Sequence, residues 1–99
     1  MKPLDIHRQA RAELDDSIEW YNERREGLGL ELHEEVSAAL ARIEADPGVG
    51  ARHGNTRFRF FRVRRFPYVI YYQELPERIW VAAIAHGRRR PNYWRKRKP

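Results

Sequence analysis

Arginine and aromatic side chains interleave along the second half of this chain. Arg57, Arg59, Arg62, Arg64 and Arg65 sit among Phe58, Phe60, Phe61 and Phe66, and Arg88, Arg89 and Arg90 run up to Tyr93 and Trp94. A guanidinium stays charged at any working pH and grips carboxylate or phosphate through a rigid fork of donors. Rings placed between such groups add stacking surface, so the pattern suits an anionic partner, nucleic acid or acidic protein. Solvated surface charge is the plainer alternative. His86 titrates near neutrality when unperturbed and can act as acid or base; Tyr93 carries a second titratable proton. Each also has a structural reading: His86 as a hydrogen-bonding residue at a strand end, Tyr93 and Trp94 as a clasp that folds the tail onto a sheet. His7, His33 and His53 lack ligand spacing, so neither a metal nor a cofactor is expected.

Charge is unevenly divided. Residues 1–50 hold 6 Lys and Arg against 12 Asp and Glu, and residues 51–99 hold 14 against 2. An acidic half at −6 is joined to a basic half at +12, for a net +6. With no cysteine, disulfides, thiolate chemistry and cysteine-based zinc sites are excluded, which fits a reducing, cytoplasmic setting. No apolar run nears the ~20 residues that span a bilayer. No secretion signal is expected, because the N-terminus has no apolar core segment. At 99 residues the chain suits one domain over 1–99, with 95–99 expected to fray.

These side chains need a scaffold, and hydrophobic periodicity supplies one. Leu4 to His7 reads as a short strand. Ala10, Leu14, Ser17, Ile18 and Tyr21 recur at helical spacing, which predicts a helix over 8–25. Gly27-Leu28-Gly29 breaks it. Leu28, Leu32, Val36, Ala39, Leu40 and Ile43 make a second stripe over 29–45, stopped by Asp46-Pro47-Gly48. The short connection makes the helices antiparallel. A glycine-rich loop over 48–55 follows. The period then changes to two: strands are expected near 57–64, 68–74 and 78–86, with a β-bulge or a sharp bend at the adjacent Phe60 and Phe61. Ile79, Val81, Ala83 and Ala85 are expected on one face of the last strand and Trp80, Ala82 and Ile84 on the other. Apolar residues on both faces call for cover on both sides. The expected fold is α+β, an N-terminal strand and an antiparallel helical hairpin packed on an antiparallel sheet, with a basic C-terminal tail.

Several segments have a familiar form. They are Ala12-Glu13-Leu14 and Trp20-Tyr21 in the first helix, Gly27-Leu28-Gly29 before the second, Arg65-Phe66-Pro67-Tyr68-Val69-Ile70-Tyr71-Tyr72, and Ala85-His86-Gly87-Arg88-Arg89-Arg90-Pro91-Asn92-Tyr93-Trp94. Together, over about residues 4–94, the chain resembles the ParE/RelE superfamily of toxins from bacterial type II toxin–antitoxin pairs. The resemblance implies a two-layer domain and a cognate antitoxin that wraps and blocks it. It also implies one of two targets: DNA gyrase for ParE-like members, or mRNA on the ribosome for RelE-like ones.

Metal-free RNA cleavage needs a base for the 2′-OH, an acid for the leaving oxygen and cations for the growing phosphate charge. His86, Arg62, Arg64, Arg88 and Tyr93 are the candidates for such roles. A base is scarce: no Lys lies between Lys2 and Lys96 and no acidic residue between Asp46 and Glu74, and arginine is too weak an acid to serve. The Arg-Phe-Pro-Tyr and Arg-Arg-x-Pro-x-Tyr-Trp segments lean the same way, toward the ParE branch. On that reading no residue is catalytic, and Arg57, Arg59, Arg62, Arg64, Arg88, Arg89, Arg90, Tyr93 and Trp94 form a target-binding surface. Trp20, Leu28 and Trp80 are candidate antitoxin contacts. A basic binding module without toxicity is the third reading.

Overall fold

The computed structural model describes all residues from Met1 to Pro99. Strand β1 (Leu4–Ile6) leads into helix α1 (Arg8–Arg24) and helix α2 (Leu28–Ala45). After a single 3₁₀ turn at Pro47–Val49 come β2 (Ala51–Arg52), β3 (Arg59–Arg62), β4 (Tyr68–Glu74) and β5 (Ile79–His86). The sheet order is β1-β5-β4-β3-β2. The helical hairpin and the N-terminal strand stand as expected. Two expectations on the sheet are corrected. The sheet is mixed, because β1 pairs with β5 in parallel; the hairpin and meander between them supply the long crossover that a parallel pair requires. The expected loop over 48–55 also contributes β2, an edge strand on β3.

The helices form where the apolar stripe dictates. Leu14 of α1, with Leu32, Val36, Ala39 and Ile43 of α2, is buried against Val63, Tyr68, Ile70, Tyr72, Ile79, Val81 and Ile84, and Ala10 of α1 is buried as well. His7 caps α1 by accepting the Gln9 N–H at 3.1 Å. Between the helices Gly27 adopts φ 87°, a left-handed conformation open to glycine at little cost. Asp46 ends α2 and accepts the Gly48 N–H at 3.2 Å, setting the turn that Pro47 begins.

The opposite face of the sheet has its own core. Trp80, Ala82, Ala83, Ala85 and Trp94 cluster there with Phe58, Tyr71, Leu75 and Tyr93. The C-terminal tail covers this face, so β5 is buried along Ile79–Ala85 from both sides, as its two-sided apolar pattern requires.

The expected bulge falls elsewhere. Arg59–Arg62 pairs with Tyr72–Val69 without a break. Phe60 and Phe61 simply face different layers, Phe61 toward the helices and Phe60 toward His53 and Tyr71. The slip lies between β4 and β5, where Tyr71 pairs with Ala83 but Tyr72 with Val81. Ala82 is the extra residue. A bulge reverses the alternation beyond it, so Ile84 joins Ile79 and Val81 on the helix side while Ala83 and Ala85 join Trp80. This corrects the face assignment expected for β5. It also turns His86 toward α1.

Candidate functional site

The register of the sheet brings distant arginines together. Arg62 pairs with Val69, and Tyr68 pairs with His86. The Gly87 N–H donates to the Pro67 carbonyl at 2.7 Å. The turn after β3 and the turn after β5 are therefore neighbours at one end of the sheet. Arg62, Arg64, Arg88 and Arg90 are exposed there and make no ion pair. Unpaired guanidiniums at one edge make a positive field that carboxylates on the protein do not cancel.

Other expected members of the target surface lie apart. Arg57 precedes β3 at the opposite end of the sheet, where Arg59 pairs with Tyr72. Arg59 is half-buried and donates to the Gly50 carbonyl at 2.8 Å, a structural bond. Trp94 is 1% exposed, stacked on Tyr71 at 4.6 Å and edge-on to Phe58 at 4.8 Å. Its place as a surface contact is corrected to that of an anchor. Trp80, expected among antitoxin contacts, is also buried, beneath Phe58 and beside His7. The reason is the same for both: the tail closes over the second sheet face. Trp20 is 49% exposed, with the Arg24 guanidinium 3.5 Å over its ring, and Leu28 is half-buried. Leu30, which the sequence reading did not single out, is 58% exposed in the first turn of α2.

The tail is held more firmly than its sequence implies. Arg97 lies within the stretch expected to fray, yet its side chain is only 10% exposed. It donates to the Ala82 carbonyl and to Glu13, both at 2.9 Å. Glu13 also accepts from the Tyr93 hydroxyl at 3.3 Å and lies 3.6 Å from Arg89. Burial is the main cause that raises the Tyr93 hydroxyl above its ordinary range, followed by the Glu13 carboxylate. In the sequence Glu13 stands out only as part of the Ala12-Glu13-Leu14 segment; nothing in spacing links it to residues 80 positions away.

His86 stands edge-on to Tyr68 at 5.2 Å, and its Nδ1 accepts the Arg88 N–H at 3.0 Å. A neutral ring in this bond carries its proton on Nε2. The ring borders a cleft of about 380 Å³ with Asp16, Trp20, Tyr21, Tyr68 and Arg89. Carboxylates thus do lie near His86, contributed by α1 and not by the strands. One guanidinium lines this cleft, Arg89, and it is 3.6 Å from Glu13, while Arg62 and Arg64 lie across β4.

Beneath this end, Arg65 takes φ 68° and ties its turn to α2, 2.7 Å from Glu31 and 3.7 Å from Glu35. Arg25 reaches the same Glu31 at 3.0 Å. Hydrogen bonds from Arg65 first, then Arg25, hold the Glu31 carboxyl below its usual range. A depressed carboxyl pKa gives stability that is complete above the unfolded carboxylate range and is lost as pH falls through the folded value. The Arg65–Phe66 turn is therefore expected to loosen on acidification below about pH 4, the ordinary carboxylate range. Backbone NMR shifts across 64–67, followed against pH, check this; in Glu31→Gln the acid transition should vanish, and its persistence would exclude Glu31 as the cause.

A helical hairpin on a mixed sheet, with arginines gathered at one sheet end and aromatics pinning the tail, makes a small α+β domain with a basic edge. Residues 4–91 match the family model described as ParE toxin of type II toxin-antitoxin system, parDE, and the chain belongs to that family. It is 31% identical over 88 residues to Toxin ParE1 of Caulobacter vibrioides, covering 87% of this chain and 90% of the relative. A solved structure described as the chromosomal ParDE TA system from P. aeruginosa contains a chain with the same fold. The TM-score is 0.77 at 19% identity, over 87% of this chain and 96% of that one. No helix is long and apolar enough to cross a membrane.

Proposed function

We propose that this ParE-family toxin arrests growth by binding DNA gyrase and trapping its cleaved complex with DNA, and that a cognate antitoxin neutralises it. The observation that carries the reading is the set of unpaired arginines, Arg62, Arg64, Arg88 and Arg90, at one end of the sheet. Such a surface binds without a covalent step. The target lies in the cytoplasm, and the whole chain, 1–99, acts as one toxin domain. The antitoxin takes the exposed apolar residues of the hairpin, Trp20 and Leu30 with the half-buried Leu28 between the helices, and offsets part of the basic charge.

The cleft that Asp16 and His86 both line is the one observation that favours RNA cleavage on the ribosome, since it places a carboxylate and an imidazole around one space. One substitution separates the two readings. For a gyrase poison, His86→Ala removes one hydrogen bond to the Arg88 amide, worth about 0.5–1.5 kcal/mol, and growth arrest changes only modestly. For a nuclease using His86 as acid or base, the same change lowers cleavage by roughly 10²–10⁴-fold. The experiment pairs expression of His86→Ala with a gyrase–DNA cleavage assay on the purified protein. Trapped complexes and a toxic variant are expected. A folded but harmless variant, with no trapped gyrase for the wild type, would overturn the proposal in favour of the nuclease. Harmless wild-type expression would leave only a basic binding module.

A further inference from the structure

We infer that Glu13 is a positioning residue, holding the Arg88–Arg90 turn from α1 so that Arg88 and Arg90 face the target. The inference rests on the proposed reading of that turn as target surface, and it assigns the three arginines different work. Arg88 and Arg90 are exposed and unpaired. Arg89, half-exposed, leans toward α1 instead, 3.6 Å from Glu13, with its guanidinium 3.9 Å over the Tyr93 ring. Arg97 approaches the same ring at 5.2 Å and the same carboxylate at 2.9 Å. Tyr93 thus carries two guanidinium contacts on its ring, and its hydroxyl reaches the carboxylate that binds both cations.

The turn is pinned at both ends. Upstream, Gly87 is bonded to Pro67, and Arg88 and Arg89 to His86. Downstream, Asn92 meets His53 at 2.9 Å, and Trp94 is sunk among Tyr71 and Phe58. Those contacts fix where the turn begins and ends. Glu13 is the one carboxylate that reaches its middle, through Arg89, whose guanidinium also lies over the Tyr93 ring. Its second grip, on Arg97, is tied to the Ala82 carbonyl at the β5 bulge, which anchors the strap to the rigid centre of the sheet. Glutamate suits this position because one carboxylate has lone pairs for several donors at once.

The test uses the full chain with purified gyrase and supercoiled plasmid DNA as the probe, and compares Glu13→Gln, Arg89→Ala, their double variant, and Arg88→Ala/Arg90→Ala. Glu13→Gln keeps shape and loses charge. It is expected to raise the concentration needed for trapping by about 10-fold and to speed amide exchange over 89–97 by a similar factor. Glu13→Asp should recover part of both. Adding Arg89→Ala to Glu13→Gln should cost no more than Glu13→Gln alone, because the restraint through Arg89 is already lost. Arg88→Ala/Arg90→Ala should lose trapping with tail exchange unchanged. Unchanged trapping or unchanged tail exchange in Glu13→Gln overturns the inference, as does a trapping loss that only parallels a lowered unfolding midpoint. If the wild type itself traps nothing, the target reading falls, and tail exchange in Glu13→Gln decides the hold of Glu13 by itself.

Discussion

Trp94→Ala is expected to be the most destabilising single substitution outside the helix-side core, at about 3–5 kcal/mol. The indole is almost fully enclosed and is the largest of the fully buried side chains. It stacks on Tyr71 with the planes 29° apart, and meets Phe58 at 67° and His53 at 47°. Aromatic pairs in such geometries contribute about 0.5–1.5 kcal/mol each beyond their buried area. Alanine leaves a cavity between Tyr71 of β4 and the Phe58 and His53 rings of the segment before β3, and Tyr71 cannot move into it without disturbing the β4 register. It also frees the segment that carries Tyr93 and Arg97 back to Glu13. For a domain of this size the loss corresponds to a drop in Tm of roughly 12 °C or more. Thermal unfolding followed by far-UV circular dichroism measures it, since that signal does not depend on the deleted fluorophore. A Tm within a few degrees of wild type would mean that the tail does not close the second core in solution.

Gly29→Ala is expected to cost about 3 kcal/mol or more, at the upper end of overpacking effects. A β-carbon at this position would lie 2.2 Å from the Ile18 carbonyl oxygen, a backbone atom that cannot swing away. It would also press on the Asn22 side chain at 2.7 Å, which accepts the Gly29 N–H at 2.7 Å. The two helices cross here at a separation that only glycine allows. The substitution must push α1 and α2 apart at the point where Leu32 and Leu14 enter the core. Glycine's helix propensity works in the opposite direction, since alanine is better by about 0.8–1 kcal/mol, so a surface site would gain from the same change. Denaturant unfolding of Gly29→Ala decides between the two. A midpoint equal to or above wild type would show that the helices have room to spare.

Both effects bear on function through position. Trp94 holds the far end of the turn that carries Arg88 and Arg90. Gly29 sets the hairpin whose first helix carries Glu13 and whose second carries Glu31. Loss of either should weaken growth arrest through the scaffold, with no change at any residue proposed to meet the target.

Much of this protein was legible along the chain. The change from helical to alternating period at Pro47 separates the two layers, because each secondary structure buries apolar residues at its own spacing. The two-sided apolar run of β5 announced cover on both faces. The arginine-rich composition of the second half announced a basic surface, and the combined Arg-Phe-Pro-Tyr and Arg-Arg-x-Pro-x-Tyr-Trp segments pointed to the family. These are properties of local sequence, and local sequence is enough to state them.

Which arginines share a surface was decided by tertiary structure. Arg62 and Arg88 are neighbours only because the β3–β4–β5 register brings their turns to one end of the sheet, while Arg57 and Arg59, closer in sequence to Arg62, are carried away or bonded internally. The single extra residue at Ala82 turned Ile84 and His86 toward the helices, against their parity in the strand. The order of the C-terminal tail depends on Glu13 from α1 and on a pocket assembled from Phe58, Tyr71 and Trp80. Periodicity reports which face a residue prefers within its own element. It carries no information on a carboxylate 80 residues distant, on a one-residue slip between strands, or on which ring will be covered by the chain's own end. Those follow from the packing of all the elements together, where a buried indole and a carboxylate shared by Tyr93, Arg97 and Arg89 are worth more than the freedom of a charged terminus.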